Sequence, residues 1–238
     1  MDASSASLPT VDSAPRAGNR RIGGDVRRAD PVAETALSSY HAAMDEIRKA
    51  IVVAGPNGAG KTTFVHEYLE THPGFTYLCA DDIALELSPS RPETAYISAG
   101  KIFFRRLRAL VAERKSFVTE VTLSSSRLAR HFAGFQAAGY EVEIVFIHLE
   151  SAELCVARVA ERVRKGGHLV APSDVRRRYR RSVQNFWGRY RPLVDGWFLM
   201  QNSYQSFSLV AYGASASLIV EDPLLYDAFL RGLLDATS

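Results

Sequence analysis

The chain has 238 residues, 47% of them hydrophobic and 23% charged, with a formal net charge of +3 at neutral pH. Such values suit a soluble domain with a sizeable core and exclude a low-complexity or fibrous chain. No apolar run approaches the roughly 20 residues that a membrane-spanning helix needs, so no membrane contact is expected. The first twenty residues hold no apolar segment of the kind that marks a cleaved secretory signal. The two cysteines, Cys79 and Cys155, lie in apolar runs and are too few for a disulfide framework. They read as buried reduced thiols, which suits a cytoplasmic protein.

Residues 1–30 are rich in Ser, Ala, Pro, Gly and Arg without apolar periodicity, and are expected to form a disordered tail. Over 31–49, Val32, Leu37, Tyr40, Met44 and Ile47 recur at helical spacing. That predicts an amphipathic helix, which either packs on the core or covers a site in cis. Residues 50–238 then form the main domain. Apolar strand candidates fall at 50–55, 76–80, 116–122, 141–150, 196–202 and 207–213. Helical stretches alternate with them at 61–70, 92–114, 126–137, 151–165, 173–191 and 223–235. Near-continuous apolar strands alternating with helices predict an α/β fold, a mostly parallel sheet with helices on both faces.

After the first strand comes Gly55-Pro56-Asn57-Gly58-Ala59-Gly60-Lys61-Thr62, followed by Thr63. This fits the P-loop pattern, with a strand before it and a helix-compatible stretch behind. Glycines let successive backbone N–H groups turn towards phosphate oxygens, and the helix adds its positive N-terminal end. Lys61 would reach the β and γ phosphates of ATP, and Thr62 would offer its hydroxyl to Mg²⁺. The "GPNGAGKTT" wording also occurs in transport-type ATPases. Those need an LSGGQ-like signature, and the nearest string, TLSSSR at 122–127, has no glycine. They also need an apolar strand ending in Asp-Glu, whereas here Glu150 is followed by Ser151. The pattern therefore points to phosphoryl transfer rather than to a motor.

A kinase needs a carboxylate near the γ-phosphate to deprotonate an acceptor hydroxyl. In an open parallel sheet it belongs at the carboxyl end of a strand beside the P-loop. TYLCADD supplies Asp81 and Asp82 at such a strand end, with Asp81 as base and Asp82 beside it towards the substrate. In SFVTEVT, Glu120 and Thr122 are two apart on one strand face, and Glu120 is placed to accept from acceptor hydroxyls. From Arg158 to Arg191 the chain carries eleven Arg or Lys against only Glu161 and Asp174, a local charge of +9. Arg158 and Arg162 share a helix face. After KGGHLVAP, Ser173 or Asp174 would cap a second helix bearing Arg177, Arg178 and Arg181. Two arginine helices on a Gly-Gly hinge over about 151–191 predict a lid that closes on ATP. His168 reads as a loop-packing residue. No Cys/His spacing suggests zinc. A nucleic-acid partner is not expected, because Trp187 and Tyr190 are the only hints of interleaved aromatics.

These pieces in order, GPNGAGKTT, CADDIALELSP, SFVTEVTLS, LESAELCVARVAERVRKGGHLVAPSDVRRRYRRS and QNS, resemble the zeta-toxin group of P-loop kinases. The match is to its small bacterial branch, often labelled "predicted ABC-type ATPase", and runs from about residue 51 to 213. The resemblance implies Asp81 as base, Glu120 and Thr122 facing the acceptor, and Arg162 and Arg178 at the γ-phosphate, with Arg158 and Arg181 as further lid arginines. Asn202, in the QNS segment, joins the nucleotide-binding set. Family members phosphorylate the sugar 3′-hydroxyl of UDP-N-acetylglucosamine and are restrained by an antitoxin, so a nucleotide-sugar substrate and an antitoxin partner are implied. The branch tends to show Asn-Ala-Asp-Glu where this chain has Cys79-Ala80-Asp81-Asp82, so the base is kept while its neighbours vary. The alternatives are a P-loop kinase for a dinucleotide or an RNA end, and a non-kinase ATP-dependent switch.

Overall fold

A computed structural model describes residues 47–167, 169–203, 206–214 and 217–237. The expected tail over 1–30, most of the expected helix over 31–49, and His168 lie outside the described residues. The end of that helix prediction is corrected: Arg48 and Lys49 open the first strand, β1 (Arg48–Ala54).

In chain order there follow α1 (Lys61–Thr71), β2 (Thr76–Cys79), α2 (Ala80–Leu87), α3 (Tyr96–Ala112), β3 (Phe117–Val121), α4 (Ala129–Ala137) and β4 (Tyr140–His148). Then come α5 (Ala152–Arg164), α6 (Pro172–Asn185), β5 (Gly196–Gln201), β6 (Ser208–Gly213), β7 (Ile219–Val220) and α7 (Pro223–Thr237). The strands form a seven-stranded sheet in the order β2-β3-β1-β4-β5-β6-β7. Strands β2 to β5 in that order pair in parallel, and β6 and β7 are added antiparallel.

The β1 segment Ala50–Ala54 is buried at every residue. Successive strand side chains point to opposite faces, so both faces of β1 are covered, as the unbroken apolar run predicts. Two elements escaped the sequence reading. The acidic pair Asp81-Asp82, expected at the strand end, lies in the first turn of a helix, α2, that is not among the expected helical stretches. A helix N-terminus favours acids there, and the preceding β2 is only four residues long, so one apolar stretch serves two elements. The two-residue β7 is too short to leave a periodic signal.

The expected helix over 173–191 also needs correction. Its first helical residue is Pro172, and Ala171 stands at the N-cap with no side-chain cap bond, so neither Ser173 nor Asp174 caps it. Proline suits the first position because its missing N–H would have no helical partner there. The helix ends at Asn185 and continues as a π-turn over Phe186–Tyr190. That turn drives Phe186 onto Phe146 of β4, with ring centroids 4.3 Å apart and planes 2° from parallel. Trp187 packs against Trp197 and Phe229 under the guanidinium of Arg191, 4.0 Å above its ring. Tyr190 is buried. Tyr190 is therefore core and the half-buried Trp187 packs against that core, so neither is a free surface stacking platform.

His148 ends β4 with 4% exposure, its ring against Tyr179 and Phe229 and its Nδ1 without a hydrogen-bond partner. Burial pushes its pKa down to about 3. As the folded value is depressed, this contribution to stability is complete above the unfolded value of roughly 6.5 and is lost as pH falls towards 3. Between pH 7 and pH 5, urea unfolding of the wild type should lose about 2 kcal/mol that His148→Phe does not lose. Equal pH slopes for the two proteins would show that the imidazole is not held neutral.

Candidate active site

The turn over 55–60 joins the end of β1 to the start of α1, and two of its glycines are required by geometry. Gly55 has φ of 143°, and a Cβ there would collide with the Ile147 carbonyl of β4. Gly60, with φ of 91°, is the N-cap of α1, and a Cβ there would strike the amide of Asn202. Asn202 is buried beyond the end of β5, and its Nδ2 donates to the Ala59 carbonyl at 2.9 Å. The asparagine thus braces the loop from behind, while Asn57, Gly58, Gly60, Lys61, Thr62 and Thr63 line a cleft of about 790 Å³. Gly55, Pro56 and Ala59 shape the turn beneath it.

Lys61 is 7% exposed, and its Nζ donates to the Pro56 carbonyl at 3.0 Å. Burial lowers its pKa, opposed by the carboxylates of Glu120 and Asp81. The Glu120 Oε1 lies 3.9 Å from the ammonium. The other oxygen, Oε2, accepts from Thr62 Oγ1 at 2.9 Å and from the Tyr77 hydroxyl at 3.2 Å. Burial raises the Tyr77 pKa, so the phenol stays a neutral donor.

The sheet order corrects one expectation. β2, which leads into Asp81, is an edge strand, and β3 lies between it and β1. Of the two strands beside β1, β3 is the one that brings a carboxylate to the cleft, Glu120, registered opposite Val53. Asp81 still lines the cleft, from the first turn of α2. Asp82 lies beside it, its pKa raised by burial and then by Glu120 and Asp81. Thr122 lies just past β3, where its hydroxyl pairs with Ser124 Oγ at 2.9 Å. Next comes Leu123, at φ of 51°, an unusual conformation for a branched side chain. Asn185 Nδ2 holds its carbonyl at 2.7 Å, and Tyr190 donates to the Ser125 carbonyl at 2.7 Å. The last residue of α6 and the π-turn together therefore hold this stretch of the cleft lining.

Arg158, Arg162 and Arg178 all line the cleft. Arg158 donates to the Ser203 carbonyl at 3.1 Å, and Arg178 to the Asn57 side chain at 3.4 Å. A bidentate pair from Arg176 to Glu153, at 2.7 and 2.8 Å, joins α6 to α5. Arg181 is exposed and is not among the cleft-lining residues. The buried stripe Val175, Tyr179, Ser182 and Val183 sets the rotation of α6. Arg178 borders that stripe, and Arg181 sits about 60° further round. Sequence reasoning missed Tyr77, whose place two residues before Cys79 on one strand face was its only signal. It also missed Tyr96, which lines the cleft from α3. Cys79 and Cys155 are free and buried, and burial pushes their thiols up to about 11 and about 12.

Residues 51–186 match the family described as AAA domain, which is more than half of the chain. The chain belongs to this AAA-domain family. An uncharacterized protein of Haemophilus influenzae is 29% identical over 134 residues, 55% of this chain and 92% of that protein. Among solved structures, a chain of the PezAT chromosomal toxin-antitoxin system of Streptococcus pneumoniae superposes with a TM-score of 0.59 at 17% identity, over 88% of this chain and 94% of that one. A chain of AvrRxo1-ORF1:-ORF2 with ATP gives a TM-score of 0.58 at 16% identity, over 81% of this chain and 66% of that one. The fold of this AAA-domain protein is that of the zeta-toxin-like P-loop kinases. Among the described residues, no helix is long and apolar enough to cross a membrane.

Asn202→Ala removes the brace on Ala59 without touching the cleft wall. The variant should lose about 1–2 kcal/mol of stability. It should also bind a fluorescent ATP analogue several-fold more weakly; undiminished binding would show that the loop holds its shape without the brace.

Proposed function

We propose that this protein is a kinase that transfers the γ-phosphoryl group of ATP to a hydroxyl of a small nucleotide-type metabolite. The observation that carries this reading is one cleft in which two carboxylates, Asp81 and Glu120, approach the buried Lys61 of the glycine turn while Arg158, Arg162 and Arg178 line the same space. ATP as donor is supported by the turn and by the ATP complex among the structures that share the fold.

In this mechanism the backbone N–H groups of the turn and the Lys61 ammonium hold the β and γ phosphates. The Thr62 hydroxyl and the Glu120 carboxylate, 2.9 Å apart, are hard oxygen donors that suit Mg²⁺. When bound there, that ion offsets charge on the β and γ phosphates. Because Glu120 is already engaged by Thr62 and Tyr77, it serves the donor side, which leaves Asp82 and Thr122 towards the acceptor. Asp81 takes the proton from the acceptor hydroxyl. The freed oxygen bonds to the γ-phosphorus as the bond from that phosphorus to the β-phosphate oxygen breaks, and ADP leaves. Arg162 and Arg178, with Arg158, balance the charge that spreads over the transferring group. Arg181, outside the cleft, would act only after movement of α6.

For the acceptor we propose a UDP-activated amino sugar, with the 3′-hydroxyl of UDP-N-acetylglucosamine as the first candidate and toxicity as the outcome. The support is the zeta-toxin-like fold together with the sequence resemblance. A toxin-antitoxin system among the structural relatives favours an antitoxin partner; the 31–49 segment acting in cis is the intramolecular counterpart. The compartment would be the cytoplasm, where ATP and such acceptors are found.

Incubation with γ-labelled ATP and a panel of UDP-sugars, dinucleotides and short RNA tests the reading. Asp81→Asn should lower transfer by about 10²–10⁴-fold and keep ATP binding. Equal transfer by the variant removes Asp81 as base, and free phosphate released without any acceptor marks a hydrolysing switch.

A further inference from the structure

Helix α3 gives the cleft a largely apolar side, and one of its cleft-lining residues has no side chain. Tyr96, Gly100 and Phe104 line the cleft four residues apart, so they follow one face of the helix with about 6 Å of rise between neighbours. Gly100 is half-buried and has ordinary helical backbone, and a Cβ added to it would meet no atom within 4 Å. Neither a turn nor close packing requires glycine there, and glycine is among the poorest residues for a helix interior. Gly134 in α4 is likewise surrounded by open space, but it is exposed and is not among the cleft-lining residues. At position 100 the open space belongs to the cleft.

The residues on either side of this gap are held in place. Phe104 stacks on His131 with ring centroids 4.7 Å apart and meets Phe103 edge-on at 5.2 Å, so its ring is clamped. Tyr96 stands near the reacting groups: burial and then Asp81 push its phenol pKa up, while Arg178 and Arg162 oppose them. The same cleft presents Asp81 and Asp82 from α2. Ionised carboxylates only accept hydrogen bonds, so the ligand edge that meets them must donate. A phosphate chain would be repelled by them, and a nucleobase edge mixes acceptors with donors. The rim of a sugar ring is a circle of hydroxyl donors, and its faces are C–H. An uncharged sugar ring therefore matches both sides of this space, its rim to the carboxylates and its face to the aromatics and the glycine.

We propose that Gly100 is the specificity-determining position of an acceptor subsite, where the space left by its missing side chain seats the sugar ring of a nucleotide sugar. The hydroxyl rim of that ring faces Asp81 and Asp82, and its C–H face lies on α3 between Tyr96 and Phe104. That the ring accepts a phosphoryl group rests on the kinase reading; that it binds over Gly100 does not.

Calorimetry on the full chain with Mg²⁺ and a non-hydrolysable ATP analogue compares UDP-N-acetylglucosamine and UDP-glucose with UDP, which lacks the terminal sugar. The wild type should bind at least one UDP-sugar more tightly than UDP. Gly100→Leu should weaken that binding by about 10-fold or more. It should leave the binding of UDP and of the ATP analogue unchanged, and Gly134→Leu should leave all of them unchanged. Gly100→Ala should raise the thermal midpoint by about 2–4 °C, as a better helix former with room for its methyl group. The proposal is overturned if the wild type binds no UDP-sugar more tightly than UDP, or if Gly100→Leu loses UDP to the same extent. A lower midpoint for Gly100→Ala also overturns it, since the glycine would then be structural. If Gly100→Leu loses a UDP-sugar that the wild type binds but never phosphorylates, the kinase reading falls and the subsite stands. If a UDP-sugar is phosphorylated with the same KM by wild type and Gly100→Leu, the kinase reading stands and the subsite falls.

Discussion

The parallel register of β1 with β3 and β4 governs every distance in the cleft. Val53 pairs with Glu120, and Ala54 with Val121 and Phe146, so the glycine turn leaves β1 just where β3 delivers its carboxylate. A strand alternates its side chains, and a slip of one residue would turn Glu120 to the other face of the sheet. The bond from Thr62 to Glu120 and the approach of Lys61 both follow from this register. Because β1 is buried on both faces, the register cannot relax without exposing apolar side chains to water.

Around that fixed centre the cleft is electrostatically graded. Carboxylates from β3 and α2 lie near the buried lysine, arginines from α5 and α6 line the same space, and Tyr96, Gly100, Phe103 and Phe104 of α3 add a largely apolar side. Lys61 is held in a setting that disfavours its charge when no phosphate is present, since burial outweighs the two carboxylates. A bound polyphosphate reverses that balance, which makes the cleft receptive to anions. The structural elements serve this grading: Asn185 at the end of α6 and Tyr190 of the π-turn hold Leu123 and Ser125 of the cleft lining, and Phe186 anchors α6 in the aromatic core.

Much of the site was legible where chemistry is written in contiguous residues. The P-loop is such a case, because its glycines, lysine and threonine act through the local path of the backbone. Alternation of apolar runs likewise revealed the sheet and most helices. Asp81 and Glu120 were legible as acids at or near strand ends, but their division of labour was not. The neighbour of β1 is set by strand order, and nothing local in TYLCADD or SFVTEVT states which of them sits beside it. Arg178 and Arg181 read alike in the sequence; only the buried stripe of α6 separates one that faces the cleft from one that faces solvent.

The sequence alone determined that a phosphate cradle stands at a strand-to-helix turn in a mostly parallel α/β sheet, with carboxylates and an arginine-rich segment at hand. These features depend on local backbone geometry and on periodic burial, both of which are encoded within a few residues. Only the tertiary structure decided that Glu120 bonds to the P-loop threonine, that Asn202 braces the loop, and that Tyr190 is buried in the core with Trp187 packed against that core. Each of these pairs residues far apart in the chain, 58 residues for Thr62 with Glu120 and 143 for Asn202 with Ala59. Such contacts exist only once strand order and helix rotation are fixed by the packing of the whole core.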